Sequence, residues 1–176
     1  MFNTEKEERG IMKFAIVGLV CACAVAFESN AQEAVVIQQS GSPLEIVSYS
    51  AHYVVGGRYS TEGVMHSVTL KNTGPQNVFA YTISFRSFDV FNEDMGRGLG
   101  GISIATLAPN STTDGSWTQR PYAPFSFDKY GTGVAYVSRV RLEDGTIWSA
   151  DQAYVLSQMQ KIQDDLTADI FENKEE

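Results

Sequence analysis

The sequence predicts a mainly β protein, an antiparallel β-sandwich followed by one C-terminal α-helix. Short runs of alternating apolar and polar residues recur between Leu44 and Trp148, bounded by Gly, Pro, Asn or Asp. No helical periodicity interrupts them, which disfavours the βαβ repeat of a parallel sheet. After Trp148 the apolar spacing changes. Val155, Met159, Ile162, Leu166 and Ile170 fall four, three, four and four apart, which is one stripe of a helix.

The first 31 residues read as a signal peptide. Phe14 to Phe27 is apolar or small, and a run of about 14 such residues suits an export signal where a spanning helix needs about 20. Ser29-Asn30-Ala31 offers a small-x-small cleavage site. A basic lead into the apolar run exists only from Met12, because Glu5, Glu7 and Glu8 offset Lys6, Arg9 and Lys13, so translation is expected to start at Met12. Both cysteines, Cys21 and Cys23, lie in this run. A lipid anchor on Cys23 is the alternative to simple cleavage. No cysteine follows residue 31, so the exported domain must hold together without disulfides. The expected location is periplasmic or extracellular, with no transmembrane span left after cleavage.

Residues 32–43 read as a flexible lead-in ending at the Gly41-Ser42-Pro43 breaker. The sandwich spans residues 44–148. Its first strand runs from Leu44 to Val55, followed by a Gly56-Gly57 turn. Val64–Leu70 and Val78–Phe85 then read as a hairpin around Asn72-Thr73-Gly74-Pro75, with Phe79, Tyr81, Ile83 and Phe85 on the core face. Leu99–Leu107 contains a short strand carrying Ile102 and Ile104, and Ser111–Thr118, with Trp117, is the candidate for another. Val134, Tyr136, Ser138, Val140 and Leu142 alternate with Ala135, Val137, Arg139 and Arg141. Asp144-Gly145 then turns the chain into a last strand at Thr146-Ile147-Trp148. Ser149-Ala-Asp-Gln152 reads as a capping box opening a helix over 149–171, and residues 172–176 form a frayed tail.

Phe85-Arg-Ser-Phe-Asp89 resembles the motif of the FxLYD family, immunoglobulin-like domains of exported bacterial proteins. Val68-Thr-Leu-Lys-Asn-Thr-Gly74 and Leu107-Ala-Pro-Asn-Ser111 are similar to that family's flanking turns. The likeness covers about residues 44–118, with Ser87 where the family has Leu. It implies an immunoglobulin-like sandwich outside the cytoplasm, and it brings no catalytic residues.

The chemistry is sparse. A net charge of -8 and a pI near 4.7 argue against a nucleic-acid surface. Gly96-Arg-Gly-Leu-Gly-Gly101 spells G-x-G-x-x-G, but it follows an acidic turn and precedes a strand, so it reads as a strand connection and no cofactor is expected. Asp89, Asn92, Glu93 and Asp94 cluster oxygens without the spacing of a calcium loop and read as a solvated turn. His52 and His66 lie on different strands with no cysteines to complete a zinc site, and no G-x-S-x-G marks a nucleophile. No catalytic and no metal residues are therefore assigned.

Two places remain for binding. The aromatic loop with Arg120, Tyr122, Phe125, Phe127 and Tyr130 would suit a protein or glycan, unless its phenylalanines fold under the sandwich as a lid. The distal helix positions Ile162, Leu166 and Ile170 would meet a partner if the helix outruns the sandwich. Arg139 and Arg141 read as a solvated sheet face rather than an anion site. The expected function is non-enzymatic, a protein-interaction or structural accessory of the cell envelope with another envelope protein as partner. A glycan- or small-ligand-binding module is the alternative, and a cryptic hydrolase the remote one.

Overall fold

Alternation of two residues sorts each strand into a core face and a water face, and the sandwich follows from pairing the core faces. The computed structural model of the chain describes residues 32–58, 62–121 and 126–171. The signal segment with Met12, Cys21 and Cys23, the tail 172–176, and Tyr122 and Phe125 of the aromatic loop lie outside the described residues.

Among the described residues eight strands form two sheets: β1 (Glu33–Val36), β2 (Leu44–Val54), β3 (Gly63–Asn72), β4 (Val78–Asp89), β5 (Leu99–Leu107), β6 (Thr112–Gln119), β7 (Tyr130–Leu142) and β8 (Ile147–Ser149). One sheet runs β2-β3-β6. The other runs β5-β4-β7, with β1 and β8 sharing the far edge of β7. Pairing is antiparallel except for β1, which lies parallel to Thr132–Ala135 of β7. The expected immunoglobulin-like sandwich with a C-terminal helix is what forms. The strand β1 is a correction, because its residues were expected in a flexible lead-in. Four residues, Glu-Ala-Val-Val, are too few to show an alternation, and the open β7 edge supplies the partner.

The β3–β4 hairpin is a second correction. The two strands lie in opposite sheets, and residues 73–77 carry the chain across. Asn72 holds this crossing. Its Nδ2 donates to the Gln76 and Leu107 carbonyls at 2.8 and 2.9 Å, and its Oδ1 accepts from the Gly74 N–H at 2.9 Å. The amide is fully buried, so each of these bonds prevents an unpaired polar group. The Asp144-Gly145 hairpin joins β7 to β8 as expected, with Gly145 at φ 87° where a side chain would be strained.

Bulges change the faces. At Phe79 the β4 ladder slips, so Val78 enters the core and Phe79, expected there, is 49% exposed. An irregularity between Thr82 and Ile83 makes Ser138 the extra residue of β7. Ala135, Val137 and Val140 consequently share the core, while Val134, Tyr136 and Arg139 face outward. Alternation read straight along β7 misses this change of phase.

The main core lies between the sheets, with Leu44, Leu70, Val78, Ile83, Phe85 and Val140. Trp117 packs at its edge over two strand glycines. A Cβ at Gly101 would sit 2.5 Å from the indole ring. Gly→Ala in a strand ordinarily stabilises by lowering the conformational entropy of the unfolded chain. Here the collision reverses the sign, and Gly101→Ala is expected to lose about 2 kcal/mol by urea unfolding. Gly100→Ala is the control, because a Cβ there has nothing nearer than Thr82 at 3.9 Å. Equal effects at the two positions would refute the role given to Trp117.

A second core covers the outer face of the five-stranded sheet at one end. Phe88, Val134 and Tyr136 meet Ile37, Val155, Met159 and Leu166 there. This is why β4 is buried on both faces from Phe85 to Phe88. The helix α1 is shorter than expected, Gln152–Met159, followed by turns and a 3-10 turn at Ala168–Phe171. Its N-cap is Asp151 rather than Ser149, with Oδ1 accepting from Ala153 and Tyr154 N–H groups. Beyond Met159 the chain turns back. Ile162 N–H bonds the Met159 carbonyl, Gln160 Nε2 donates to the Leu166 carbonyl, and Asp164 and Asp165 would oppose a continued helix dipole. Among the described residues no helix is long and apolar enough to cross a membrane.

Candidate binding groove

The C-terminal segment covers only part of the outer sheet face. The uncovered part is a groove of about 1270 Å³. Its floor is the outward row of β4 and β7, with Thr82, Ser84, Tyr136, Ser138 and Arg139. Asp169, Ile170 and Phe171 of the 3-10 turn form one wall. Gly100 and Ile102 of β5 form the opposite side, and Arg97 and Arg120 stand at one end. The floor is hydroxyl-rich because these are the water-face positions of the strands, and the bulge at Ser138 brings Arg139 into their row.

Arg86 sits at the boundary between groove and second core and is 8% exposed. Its Nη2 donates to Asp94 Oδ2 at 3.1 Å. Burial pushes the guanidinium down and the Asp94 carboxyl up, each against the attraction of the other. Arg86 Nε and Asp94 Oδ1 are buried without hydrogen-bond partners, so this pair is only partly satisfied. Asp94 is also tied to the C-terminal segment, its N–H donating to Gln163 Oε1 at 2.8 Å. Four of the six described arginines, Arg86, Arg97, Arg120 and Arg139, line the groove, against Asp94 and Asp169. Among the described residues Arg97, Arg120 and Arg139 form no ion pair.

Beside the groove lies the outer strand β5, Leu-Gly-Gly-Ile-Ser-Ile-Ala-Thr-Leu. Its ladder is with β4 alone among the described residues. Ile102 and Ile104 on its outer face are 70% and 76% exposed. Proteins normally blunt such an edge with charges, proline or a bulge; β5 has neither a charge nor a proline, and its ladder is irregular only between Ile104 and Leu107.

The residues singled out from sequence do not form one site. Arg120 joins the groove. Phe127 and Tyr130 are buried in a third cluster with Ala51, Val64 and Met95, so this part of the aromatic loop is lid rather than binding surface. Leu166 is 7% exposed in the second core, with Ile162 and Ile170 packed against it, and Ile170 also contributes to the groove wall. The apolar stripe thus points into the chain itself. Arg86, Arg97, Ile102 and Ile104 were not singled out. The sequence signal for the last two is an uncharged run, which an ordinary strand also carries.

The histidines are apart. His52 is exposed and His66 fully buried. Gln119 Nε2 donates to the Arg97 carbonyl at 2.8 Å, so its Oε1 accepts from Ser87 Oγ at 2.8 Å and from His66 Nε2 at 3.1 Å. His66 is consequently the Nε2–H tautomer, assigned from these partners, and Nδ1 accepts the Tyr49 hydroxyl at 2.9 Å. The ring stacks on Phe85 at 4.6 Å, linking the two sheets. Among the described residues no serine hydroxyl bonds His66. At the acidic turn, Asp89 Oδ1 accepts the Phe91 and Glu93 N–H groups at 2.8 and 3.0 Å. Among the described residues no three His, Cys, Asp or Glu side chains converge to hold a metal.

No family model matches the chain, and no curated protein matches it. Among solved structures it is similar to a hypothetical protein from Peptoclostridium difficile 630, with a TM-score of 0.46 and 10% identity, covering 70% of this chain and 92% of that one. It is also similar to a Northeast Structural Genomics Consortium target, with a TM-score of 0.42 and 16% identity, covering 61% of this chain and 80% of that one.

Proposed function

We propose that the chain is an exported, non-enzymatic binding module that docks an extended segment of another envelope protein along β5. The observation that carries this is the edge strand β5, nine residues without charge or proline and regularly paired from Leu99 to Ile104, presenting Ile102 and Ile104 to solvent. Edges of this kind template strand addition, where main-chain hydrogen bonds give affinity and alternate side chains give specificity. The export signal read in residues 1–31 and the FxLYD-like motif at Phe85–Asp89 support an extracytoplasmic place for that partner. The groove alongside gives the bound segment a surface for its side chains.

The test is a quantitative pull-down from an envelope extract with the wild type, Ile104→Lys and Ile147→Lys. Ile147 is an exposed isoleucine on the short strand β8 and serves as the control. A lysine at residue 104 is expected to reduce capture of the wild type's partner at least tenfold, and one at residue 147 to leave it unchanged. Capture that ignores the substitution at residue 104, or that falls equally for both, overturns the proposal.

A further inference from the structure

We infer that the groove beside β5 selects an acidic peptide segment, binding its carboxylates through Arg97, Arg120 and Arg139. This rests on the edge-docking reading for the peptide's backbone and adds the chemistry of its side chains. The first support is charge placement. The chain carries a net charge of -8, yet four arginines and two aspartates line this groove. Arg86 and Asp94 offset one another at 3.1 Å, which leaves three arginines against Asp169. The second support is that Arg97, Arg120 and Arg139 are exposed and form no ion pair among the described residues. Arginine is the cation suited to bidentate carboxylate recognition. The third is the floor, where the Thr82 hydroxyl supplies a donor beside the arginines, the Ser138 hydroxyl being already bonded to the Thr82 carbonyl at 3.1 Å.

Overall charge works against the wrong explanation. A polyanion is repelled by the acidic chain as a whole, so any binding must come from a local cationic surface. A peptide is preferred to an acidic glycan because the groove opens onto a strand edge, which a peptide backbone can extend and a sugar cannot.

Fluorescence anisotropy with three labelled probes tests this: decaglutamate, decaglutamine and a decameric galacturonate. Decaglutamate is expected to bind, to weaken at least tenfold between 50 mM and 500 mM salt, and to bind about fivefold more weakly to Arg120→Gln and to Arg139→Gln. Arg141→Gln, on the same sheet face but outside the groove lining, is expected to bind as the wild type. Decaglutamine binding equally well, galacturonate binding more tightly, or loss equal in all three variants overturns the inference. The two readings fail separately. Ile104→Lys abolishing partner capture while the groove arginines have no effect leaves edge docking and removes the acidic preference. Salt-dependent decaglutamate binding that requires Arg120 and Arg139 but is indifferent to Ile104→Lys leaves the groove and removes the edge.

Discussion

Lowering the pH from 6.5 to about 4 is expected to remove roughly 3 kcal/mol of stability through His66 alone. Burial between the sheets pushes the imidazole down to about 4, with the Gln119 hydrogen bond opposing and the His52 charge adding slightly. The sign follows from the folded form being neutral. Above 6.5 neither state binds the proton, and the network is at full strength. Between 6.5 and 4 the unfolded chain takes up a proton that the fold refuses, so the unfolded state gains. Below about 4 both states are protonated and the slope ends. Protonation would also put a donor on Nδ1, where the Tyr49 hydroxyl now donates. Urea unfolding of the wild type at pH 7, 5 and 4 should show this loss, and His66→Gln should lack this part of the slope whatever its own stability. A direct check is the His66 ring in an NMR titration. Protonation near pH 6.5 in the folded protein would sink the account.

The same residue illustrates what a sequence conceals. His66 sits in an alternating strand, and nothing local distinguishes a solvated histidine from one buried against a glutamine 53 positions away. Apart from β1, strand existence is legible because turn residues punctuate the chain. The short strand expected around Ile102 and Ile104 forms, and as β5 it takes up the whole of Leu99–Leu107. Sheet membership was not, because turn chemistry at Asn72–Asn77 serves a crossing between sheets as well as a hairpin. Bulges were invisible for a related reason. A run such as Val134–Leu142 carries apolar residues in both phases, and only the β4 register decides where Ser138 is squeezed out. The groove was legible only in fragments. In sequence Arg120 belongs with the aromatic loop and Arg139 with a solvated face, while Arg86 and Arg97 belong to other elements. Their convergence is a property of the strand order β5-β4-β7, which alternation does not encode.

Met159→Ala should cost about 3 kcal/mol, a little below the middle of what a buried methionine loses with its cavity. The side chain is fully buried among Phe88, Val155 and Leu166, at the point where α1 ends and the chain turns back. Because the second core is built within one chain, the loss should be independent of protein concentration. Urea midpoints at two concentrations tenfold apart decide this. A stripe that paired with another molecule would instead give midpoints that rise with concentration, and the alanine variant would mainly shift assembly. Leu166→Ala, in the same cluster, should lose a similar amount, and the double variant should lose less than the sum because both open one cavity. The groove should respond as well. Gln163, in the turn held down by Met159 and Leu166, accepts the Asp94 N–H, and Asp94 in turn neutralises Arg86 at the groove edge. Loosening the second core therefore moves both the Ile170 wall and the Arg86–Asp94 pair. Decaglutamate affinity in Met159→Ala, measured where the variant is still folded, is expected to fall with its stability. Unchanged affinity would show that the groove keeps its form without the C-terminal segment.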